Sequence, residues 1–167
     1  MKLNGFLNDK ETGFMPIQDL YQELIVEHGT CPRNCCALPN ASCDAEGFNP
    51  LCGDKVKVYL KVENNKIQRA TFEGKGCAIS MASASLMTES LVGKTLEEVM
   101  NLFEAFKHLM NGTSNDNPLL GKLLALSGVN AFPVRVKCAT LAWHTLLAAL
   151  KKETQIISTE SLEDATL

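Results

Sequence analysis

Residues 54–62 read DKVKVYLKV, and their strict alternation decides the fold. One face carries the apolar side chains of Val56, Val58, Leu60 and Val62, and the other carries Lys55, Lys57, Tyr59 and Lys61. This two-residue period predicts a half-buried strand. Asn64-Asn65 is a turn signal, and residues 67–74, IQRATFEG, predict a second strand antiparallel to the first. The sequence is therefore organised around a β-hairpin.

The apolar period becomes helical on the C-terminal side of this hairpin. It predicts helices over residues 78–91, 95–110, near 118–127 and over about 134–151. Thr95 and Glu98 have the spacing of a capping box, which fixes the start of the second of these helices. The chain after the hairpin is thus predicted to be entirely helical up to its tail.

The part before the hairpin is less regular. Pro16 opens an amphipathic helix that fades at His28-Gly29, and residues 30–50 are predicted to be a long loop or a short irregular strand. Two strands, or three, followed by helices indicate an α+β fold, a small antiparallel sheet with helices packed on one face. The domain is predicted over residues 16–152, with a flexible lead-in at 1–15 and an acidic, disordered tail at 153–167.

The bulk composition is that of an ordinary globular protein. Of the 167 residues 46% are hydrophobic and 21% charged, and the net charge of -3 favours neither nucleic acid nor a membrane surface as a partner. No apolar run approaches the ~18 residues of a membrane span, and the N-terminus lacks the apolar segment of a signal peptide. We therefore expect a reducing cytoplasm. There, seven cysteines indicate metal or thiol chemistry more than a disulfide framework.

Three cysteines lie at the ends of predicted elements. Cys52 is two residues before Asp54 at the entrance to the first strand, Cys77 begins the helix after the hairpin, and Cys138 lies within about the first turn of the last helix. Helix N-termini favour thiolates, so Cys77 and Cys138 are predicted to be acidic. Three thiolates and one carboxylate would form a four-coordinate zinc site. The alternatives are that these cysteines are small core residues and that Cys52-Gly53-Asp54 is an ordinary turn.

Three longer stretches carry a resemblance to a known family. They are NPLCGDKVKVYLKV at 49–62, FEGKGCAISMASASLMTESLVGKT at 72–95 and FPVRVKCATLAW at 132–143, with PRN at 32–34. These stretches resemble the motifs of the IscU/NifU-like iron–sulfur cluster assembly family, and the likeness extends over roughly residues 17–150. The resemblance implies a fold that agrees with the predicted one. It also implies that the site consists of Cys52, Asp54, Cys77 and Cys138.

Departures from the IscU-type pattern make the chain similar to the SufU-type branch of that family. IscU-type scaffolds carry a histidine before the last cysteine, where this chain has Lys137, and a shorter link than the 60 residues between Cys77 and Cys138. FPVRVK also stands in place of the LPPVK stretch that chaperones recognise. The resemblance implies a bound zinc, a cysteine desulfurase as sulfur donor, and downstream cluster-assembly or acceptor proteins. Arg135 and Lys137 would offset part of the negative charge around the ion.

The resemblance leaves two functions open. In the first, the chain is a zinc-dependent sulfurtransferase: the desulfurase supplies a replacement ligand, and the released Cys52 thiolate attacks the enzyme persulfide. Cys52 is the candidate catalytic residue because it lies on a glycine-flanked loop. In the second, the chain is a non-enzymatic scaffold that assembles a labile iron–sulfur cluster on the same Cys3Asp set. A purely structural zinc site is disfavoured because Cys52 and Asp54 lie at the mouth of a loop.

The remaining cysteines and the histidines receive no firm role. Four loop thiols lack the spacing of a redox motif, and a second metal site or secondary persulfide acceptors close to Cys52 are the alternatives for them: Cys31, Cys35, Cys36 and Cys43. Three histidines are weak ligand candidates: His28, His108 and His144. His144 follows Cys138 by six residues, which puts it on another helix face.

Overall fold

The computed structural model describes residues 15–160. Its elements are α1 (Ile17–Thr30), β1 (Cys43–Asn49), β2 (Asp54–Glu63), β3 (Lys66–Lys75), α2 (Ala78–Leu91), α3 (Leu96–Met110), a 3-10 helical segment (Pro118–Ala131), α4 (Pro133–Lys151) and β4 (Ile157–Ser158). The predicted lead-in, apart from its last residue, and the last seven residues of the predicted tail lie outside the described residues.

The four strands form one sheet in the order β3-β2-β1-β4. β1, β2 and β3 are antiparallel neighbours, and β4 adds a short parallel strand at the β1 edge. The helices pack on one face, where α4 contacts β1 and β2 while α2 contacts α4 and β3. The opposite face carries ion pairs such as those of Lys57 with Asp44 and Glu46. The predicted α+β fold is confirmed, with β4 as a parallel addition.

The β2–β3 hairpin forms at the predicted turn. Asn64 and Asn65 have φ angles of 51° and 61°. Positive φ at both central residues is what a two-residue type I′ turn requires, and asparagine adopts it more readily than most residues. Val56, Val58 and Leu60 are buried beneath the helices. The alternation therefore identified both the strand and its buried face.

β1 occupies the end of the segment that was predicted to be a loop or a short strand. Its sequence, CDAEGFN, is poor in the β-branched and aromatic residues that strands favour. A Cβ atom on Gly47 would collide with Thr145 Oγ1 and lie 3.0 Å from Leu141 Cδ1 of α4. The glycine is what lets α4 pack closely on β1, and it also weakens the strand signal in the sequence.

Aromatic stacking joins α3 and α4 at the centre of the helical layer. The rings of Phe106 and Trp143 stack with centroids 4.4 Å apart. Trp143 Nε1 donates to Ser83 Oγ at 3.2 Å, so the polar atom of this buried indole is satisfied. The predicted capping box is present: Glu98 N–H donates to Thr95 Oγ1 and Thr95 N–H to the Glu98 carboxylate. Across residues 15–160, no helix is both long and apolar enough to span a membrane.

α1 ends close to the predicted position but buries a different residue. Ile17 and Leu20, two apolar residues of this amphipathic helix, are 58% and 45% exposed, whereas His28 is 1% exposed. His28 Nδ1 lies 2.7 Å from Ser85 Oγ in α2. The backbone N–H of Arg33 donates to the same hydroxyl oxygen at 2.8 Å. His28 is therefore a packing residue that ties α1 and the loop after it to α2.

Part of the predicted disordered tail is ordered. Ile157 pairs with Gly47 in β1, and Thr159 is 4% exposed with its N–H donating to the Phe48 carbonyl at 3.1 Å. A two-residue strand is too short to show a period, and the β1 residues that it meets lie about 110 residues earlier. Local sequence therefore had no means of revealing this pairing, and the expectation of disorder does not hold for residues 157–159.

Replacing Thr71 by valine is expected to stabilise the fold. Thr71 lies in β3 opposite Tyr59, and within residues 15–160 its Oγ1 is buried without a hydrogen-bond partner. Removing an unsatisfied buried hydroxyl while keeping the side-chain shape should raise the free energy of unfolding by about 1 kcal/mol. Urea denaturation measures the change. Thr145→Val is the contrast, because the Thr145 hydroxyl donates to the Leu141 carbonyl and its loss should destabilise. A Thr71→Val protein less stable than the wild type would contradict the assignment.

Acidification is expected to destabilise the fold through the half-buried His144. Burial, helped by the charge of Lys107, lowers the pKa of His144 to about 4. Because the unfolded chain binds the proton first, the stabilising contribution is complete above pH about 6.5 and is lost as the pH falls toward 4. The loss from this group should reach about 3 kcal/mol. His144→Gln should make the free energy of unfolding depend less on pH than the exposed control His108→Gln does. If the two variants show the same slope of unfolding free energy against pH, the assignment to His144 is refuted.

Candidate metal centre

The β1–β2 turn builds one side of the site. Asn49, the last residue of β1, pairs with Asp54, the first of β2, which leaves residues 50–53 as a tight loop. The loop is closed by Gly53 N–H donating to the Asn49 carbonyl at 2.8 Å. Gly53 has a φ of 71°, a left-handed conformation that favours glycine. Cys52 thus lies on a short, well-defined loop directly beside a buried carboxylate.

Three of the predicted site residues converge. The Sγ atoms of Cys52 and Cys138 and a carboxylate oxygen of Asp54 all lie within 4.8 Å of one another, the single such group of metal-ligating side chains in the described part of the chain. The Cys138 thiol donates to Cys52 Sγ at 3.2 Å. Asp54 and Cys138 are fully buried, whereas Cys52 is half-buried. The solvent-facing member of the group is therefore Cys52.

Cys77 touches the site through its backbone. Its N–H donates to Asp54 Oδ1 at 2.9 Å. Its Sγ caps α2, accepting from Ser80 N–H at 3.4 Å, and is not a member of the close group. The predicted position at a helix N-terminus is correct. The structure thus brings three of the four predicted ligands together and leaves the fourth thiol turned to its own helix.

Asn49 is a site residue that the sequence analysis missed. It is fully buried, and its Nδ2 donates to Asp54 Oδ2 at 3.2 Å and to Cys138 Sγ at 3.5 Å. Its Oδ1 accepts from Leu51 N–H at 3.2 Å and from Thr159 Oγ1 at 3.1 Å. The available signal was indirect: once β1 is recognised as a strand, Asn49 becomes the cross-strand partner of Asp54.

Cys138 does not have the environment that was predicted for it. α4 begins at Pro133, so Cys138 lies in the second turn, beyond the free N–H groups of the helix start. Burial raises the pKa of its thiol, and hydrogen bonds with Cys52 and Asp54 raise it further. The expectation of an acidic Cys138 was therefore wrong for the protein without a bound cation. Only a positive charge at the site would reverse this preference.

The predicted basic residues lie on the first turns of α4. The pKa of the exposed Arg135 guanidinium is raised, first by a hydrogen bond with Cys138 and then by the charges of Cys77, Cys138 and Cys52. Arg135 is therefore beside the thiols. Lys137 is half-buried and precedes Cys138 directly.

The donor set suits a thiophilic metal ion. Cysteine sulfur and carboxylate oxygen are both zinc ligands. The two hydrogen bonds to Asp54, from Asn49 and from the Cys77 backbone, occupy one lone pair on each carboxylate oxygen and leave the others available. Three acidic groups this close repel one another when all are ionised, and a bound cation would offset that repulsion. The residues present therefore fit a divalent ion such as zinc.

The four remaining thiols are not members of this close group. Cys43 begins β1 opposite Leu60, at the other end of the strand from Asn49, which is about 20 Å at strand spacing. Cys35 bridges to Phe72 of β3. Cys43 is therefore far from Cys52 along the strand, and a role of the four thiols as secondary persulfide acceptors stays a prediction. Neither these thiols nor any histidine belongs to the close group found in residues 15–160.

The fold and the site together define a class of protein. In this class, the loop of a β-hairpin and a facing helix bring thiols and a carboxylate together at one end of a small sheet, where a metal ion can bind. A family model for the NifU-like N-terminal domain matches residues 20–159. The chain belongs to the NifU-like N-terminal domain family, as the sequence motifs predict.

Individual relatives agree with this assignment. The chain is 41% identical over 138 residues to the zinc-dependent sulfurtransferase SufU of Bacillus subtilis, covering 82% of this chain and 93% of that protein. It is 40% identical over 138 residues to the iron–sulfur cluster assembly scaffold protein IscU of Thermotoga maritima, and the match covers 83% of this chain and 97% of that protein. A crystal structure from Fervidobacterium islandicum AW-1 is described as a putative iron–sulfur cluster assembly scaffold protein for the SUF system. It superposes on this chain with a TM-score of 0.74 at 36% identity, and the match covers 81% of this chain and 99% of that one.

Filling the space beside Asp54 is expected to weaken metal binding. A Cβ atom on Gly76 would lie 2.5 Å from Asp54 Oδ1, so Gly76→Ala must displace the carboxylate. Loss of its orientation should lower the affinity for zinc by at least about tenfold. Competition with a chromophoric chelator measures the dissociation constant. Gly128→Ala is the matched control, because a Cβ there meets nothing within 4 Å. Equal affinities for the two variants would rule out this arrangement of the site.

Proposed function

We propose that this protein is a zinc-dependent sulfurtransferase of iron–sulfur cluster assembly that accepts sulfur from a cysteine desulfurase. The observation that carries the proposal is the convergence of Cys52, Asp54 and Cys138 within 4.8 Å, with Cys52 the member that faces solvent. A relative of 41% identity that bears the name of this activity supports it.

Four residues are proposed to hold the zinc: Cys52, Asp54, Cys77 and Cys138. When bound, zinc holds thiolates deprotonated without oxidising them, because it has no redox chemistry. Asn49 and the Cys77 N–H orient the Asp54 carboxylate. Arg135 lowers the net negative charge of the set from the solvent side.

The transfer step belongs to Cys52. Its thiolate attacks the outer sulfur of the persulfide on the desulfurase, which forms a new sulfur–sulfur bond on Cys52. The original sulfur–sulfur bond breaks, and the desulfurase cysteine leaves as a thiolate, so no external oxidant or reductant is needed. Cys138 is too buried to meet a partner's persulfide, and the Cys77 thiol is engaged at its helix cap. Cys52 is therefore the proposed catalytic residue.

Exposed apolar side chains lie on the elements that carry the site. Leu51 is 54% exposed beside Cys52, and Phe132 and Val134 at the start of α4 are 62% and 53% exposed. Apolar side chains around a reactive group are typical of a surface that binds another protein. We propose that the desulfurase docks here and that acceptor proteins receive the sulfur or the cluster afterwards. A reducing cytoplasm would be the compartment for this thiol chemistry.

The second candidate is a scaffold that assembles an iron–sulfur cluster on the same Cys3Asp set. It is supported by a relative of 40% identity that bears that name. Similarity alone does not separate the two functions. Lys137 directly before Cys138 favours sulfur transfer, because IscU-type scaffolds carry a histidine there. The long link between Cys77 and Cys138, which forms α3 and the 3-10 segment, favours it as well.

Metal analysis and desulfurase assays separate the two. Protein purified anaerobically should contain stoichiometric zinc and should strongly increase sulfide release by a cysteine desulfurase in the presence of a thiol reductant. Cys52→Ala should return sulfide release to the level of the desulfurase alone. After reaction without reductant, mass spectrometry should find one added sulfur atom on the peptide containing Cys52.

The control for these assays is Cys36→Ala, which removes an exposed loop thiol and should leave stimulation intact. Full stimulation by Cys52→Ala would sink the sulfurtransferase proposal. Iron and acid-labile sulfide at an occupancy comparable to that of the protein, without stimulation of the desulfurase, would instead support the scaffold.

A further inference from the structure

The C-terminal strand reaches the metal site. β4 runs parallel to β1, from Ile157 beside Gly47 to Ser158 beside Phe48. The next residue, Thr159, is 4% exposed, and its N–H donates to the Phe48 carbonyl at 3.1 Å. Its side chain then meets Asn49, the residue that closes the β1–β2 loop. A segment from the end of the chain is therefore built into the back of the site.

The direction of the Asn49 amide is determined by its neighbours. The backbone N–H of Leu51 is a donor only, so the atom that faces it at 3.2 Å must be the oxygen. Thr159 Oγ1 therefore donates to that oxygen at 3.1 Å. The amide nitrogen is left to donate to Asp54 Oδ2 and Cys138 Sγ. The Asn49 amide makes four hydrogen bonds, two to the closed loop and strand β4 and two to the proposed ligands.

Thr159 is one of the two donors that set this orientation. Asn49 is fully buried, so its amide has no water to replace a lost partner. Without the Thr159 hydroxyl, the oxygen keeps a single donor, the backbone N–H of Leu51. The amide then has less to hold it against rotation, and the Asp54 carboxylate and the Cys138 thiolate lose a fixed donor together.

We propose that Thr159 is a positioning residue for the metal centre and that docking of β4 and metal binding stabilise each other through Asn49. This inference rests on the metal site of the proposed function and adds a residue and a coupling to it. Coupling between two binding events is reciprocal. If the docked strand strengthens metal binding, the bound metal must hold the strand in place by the same factor.

The length of β4 makes this coupling measurable. The strand pairs with β1 through two residues only, and Ile156 just before it is 64% exposed. A segment with so few contacts opens more readily than the rest of the sheet. A modest stabilisation at Asn49 should therefore change the population of the docked strand visibly.

The first test compares zinc affinities of full-length variants by chelator competition. Thr159→Val keeps the side-chain shape and removes the hydroxyl, and it should weaken zinc binding by about tenfold, as loss of an outer-shell partner does. Thr159→Ser keeps the hydroxyl and should bind zinc like the wild type. Thr71→Val is the matched control, the same substitution at another buried threonine, whose hydroxyl has no hydrogen-bond partner in the described residues. Its zinc affinity should not change.

The second test measures the effect of zinc on the docking of β4. Amide hydrogen exchange at Thr159, whose N–H is bonded to the Phe48 carbonyl, should slow when zinc is added to the wild-type protein. In Thr159→Val that slowing should shrink by the factor lost in zinc affinity. A merely structural threonine would change exchange equally with and without zinc.

The outcomes separate this inference from the function on which it rests. Stoichiometric zinc in the wild type, together with an unchanged affinity in Thr159→Val, overturns the inference and leaves the metal site standing. If zinc does not change the rate of amide exchange at Thr159 in the wild type, the inference is overturned too. This measurement does not depend on the folding of any variant. A wild-type protein that binds no zinc refutes the metal site itself, and the coupling with it.

Discussion

The pairing of Asn49 with Asp54 at the end of the β1–β2 hairpin is the constraint on which the site depends. It closes the loop that carries Cys52 and fixes a buried carboxylate one residue beyond the loop. α4 then covers this end of the sheet and supplies Cys138 from the second turn of the helix. Without the pairing, Cys52 would be one more loop thiol, and Cys138 would be an ordinary buried cysteine.

The electrostatics of the site favour two states, one in which the Cys138 thiol is protonated and one in which a cation is bound. Asp54 is fully buried between an amide and a backbone N–H, and two thiols lie within 4.8 Å of it. Without a cation, burial and the neighbouring acidic groups raise the pKa of Cys138. The Cys138 proton therefore stays on its sulfur. A divalent cation reverses the sign of the local field and makes thiolates the favoured form. The exposed Arg135 is screened by water and is a weak substitute for such an ion.

Sequence patterns predicted the parts of the fold that depend on near neighbours. The β2–β3 hairpin follows from alternation and an Asn-Asn turn, and the start of α3 follows from the Thr95–Glu98 capping box. β1 was only a possibility because close packing against α4 requires Gly47, which erases the strand signal. The motifs located Cys52, Asp54 and Cys138. They did not reveal Asn49 or Thr159, because the role of each depends on a pairing that no local period encodes.

The same arrangement supports the proposed role of Cys52 in sulfur transfer. A sulfur acceptor must reach a partner, while the other ligands must stay in place when it does. Asp54 and Cys138 are fully buried and tied from behind by Asn49, and Cys77 is fixed at the N-cap of α2. Cys52 alone among these four lies within the β1–β2 loop, between the exposed Leu51 and Gly53. Asn49 therefore holds Asp54 and Cys138 from the buried side, while Cys52 lies on the solvent-facing side of the site.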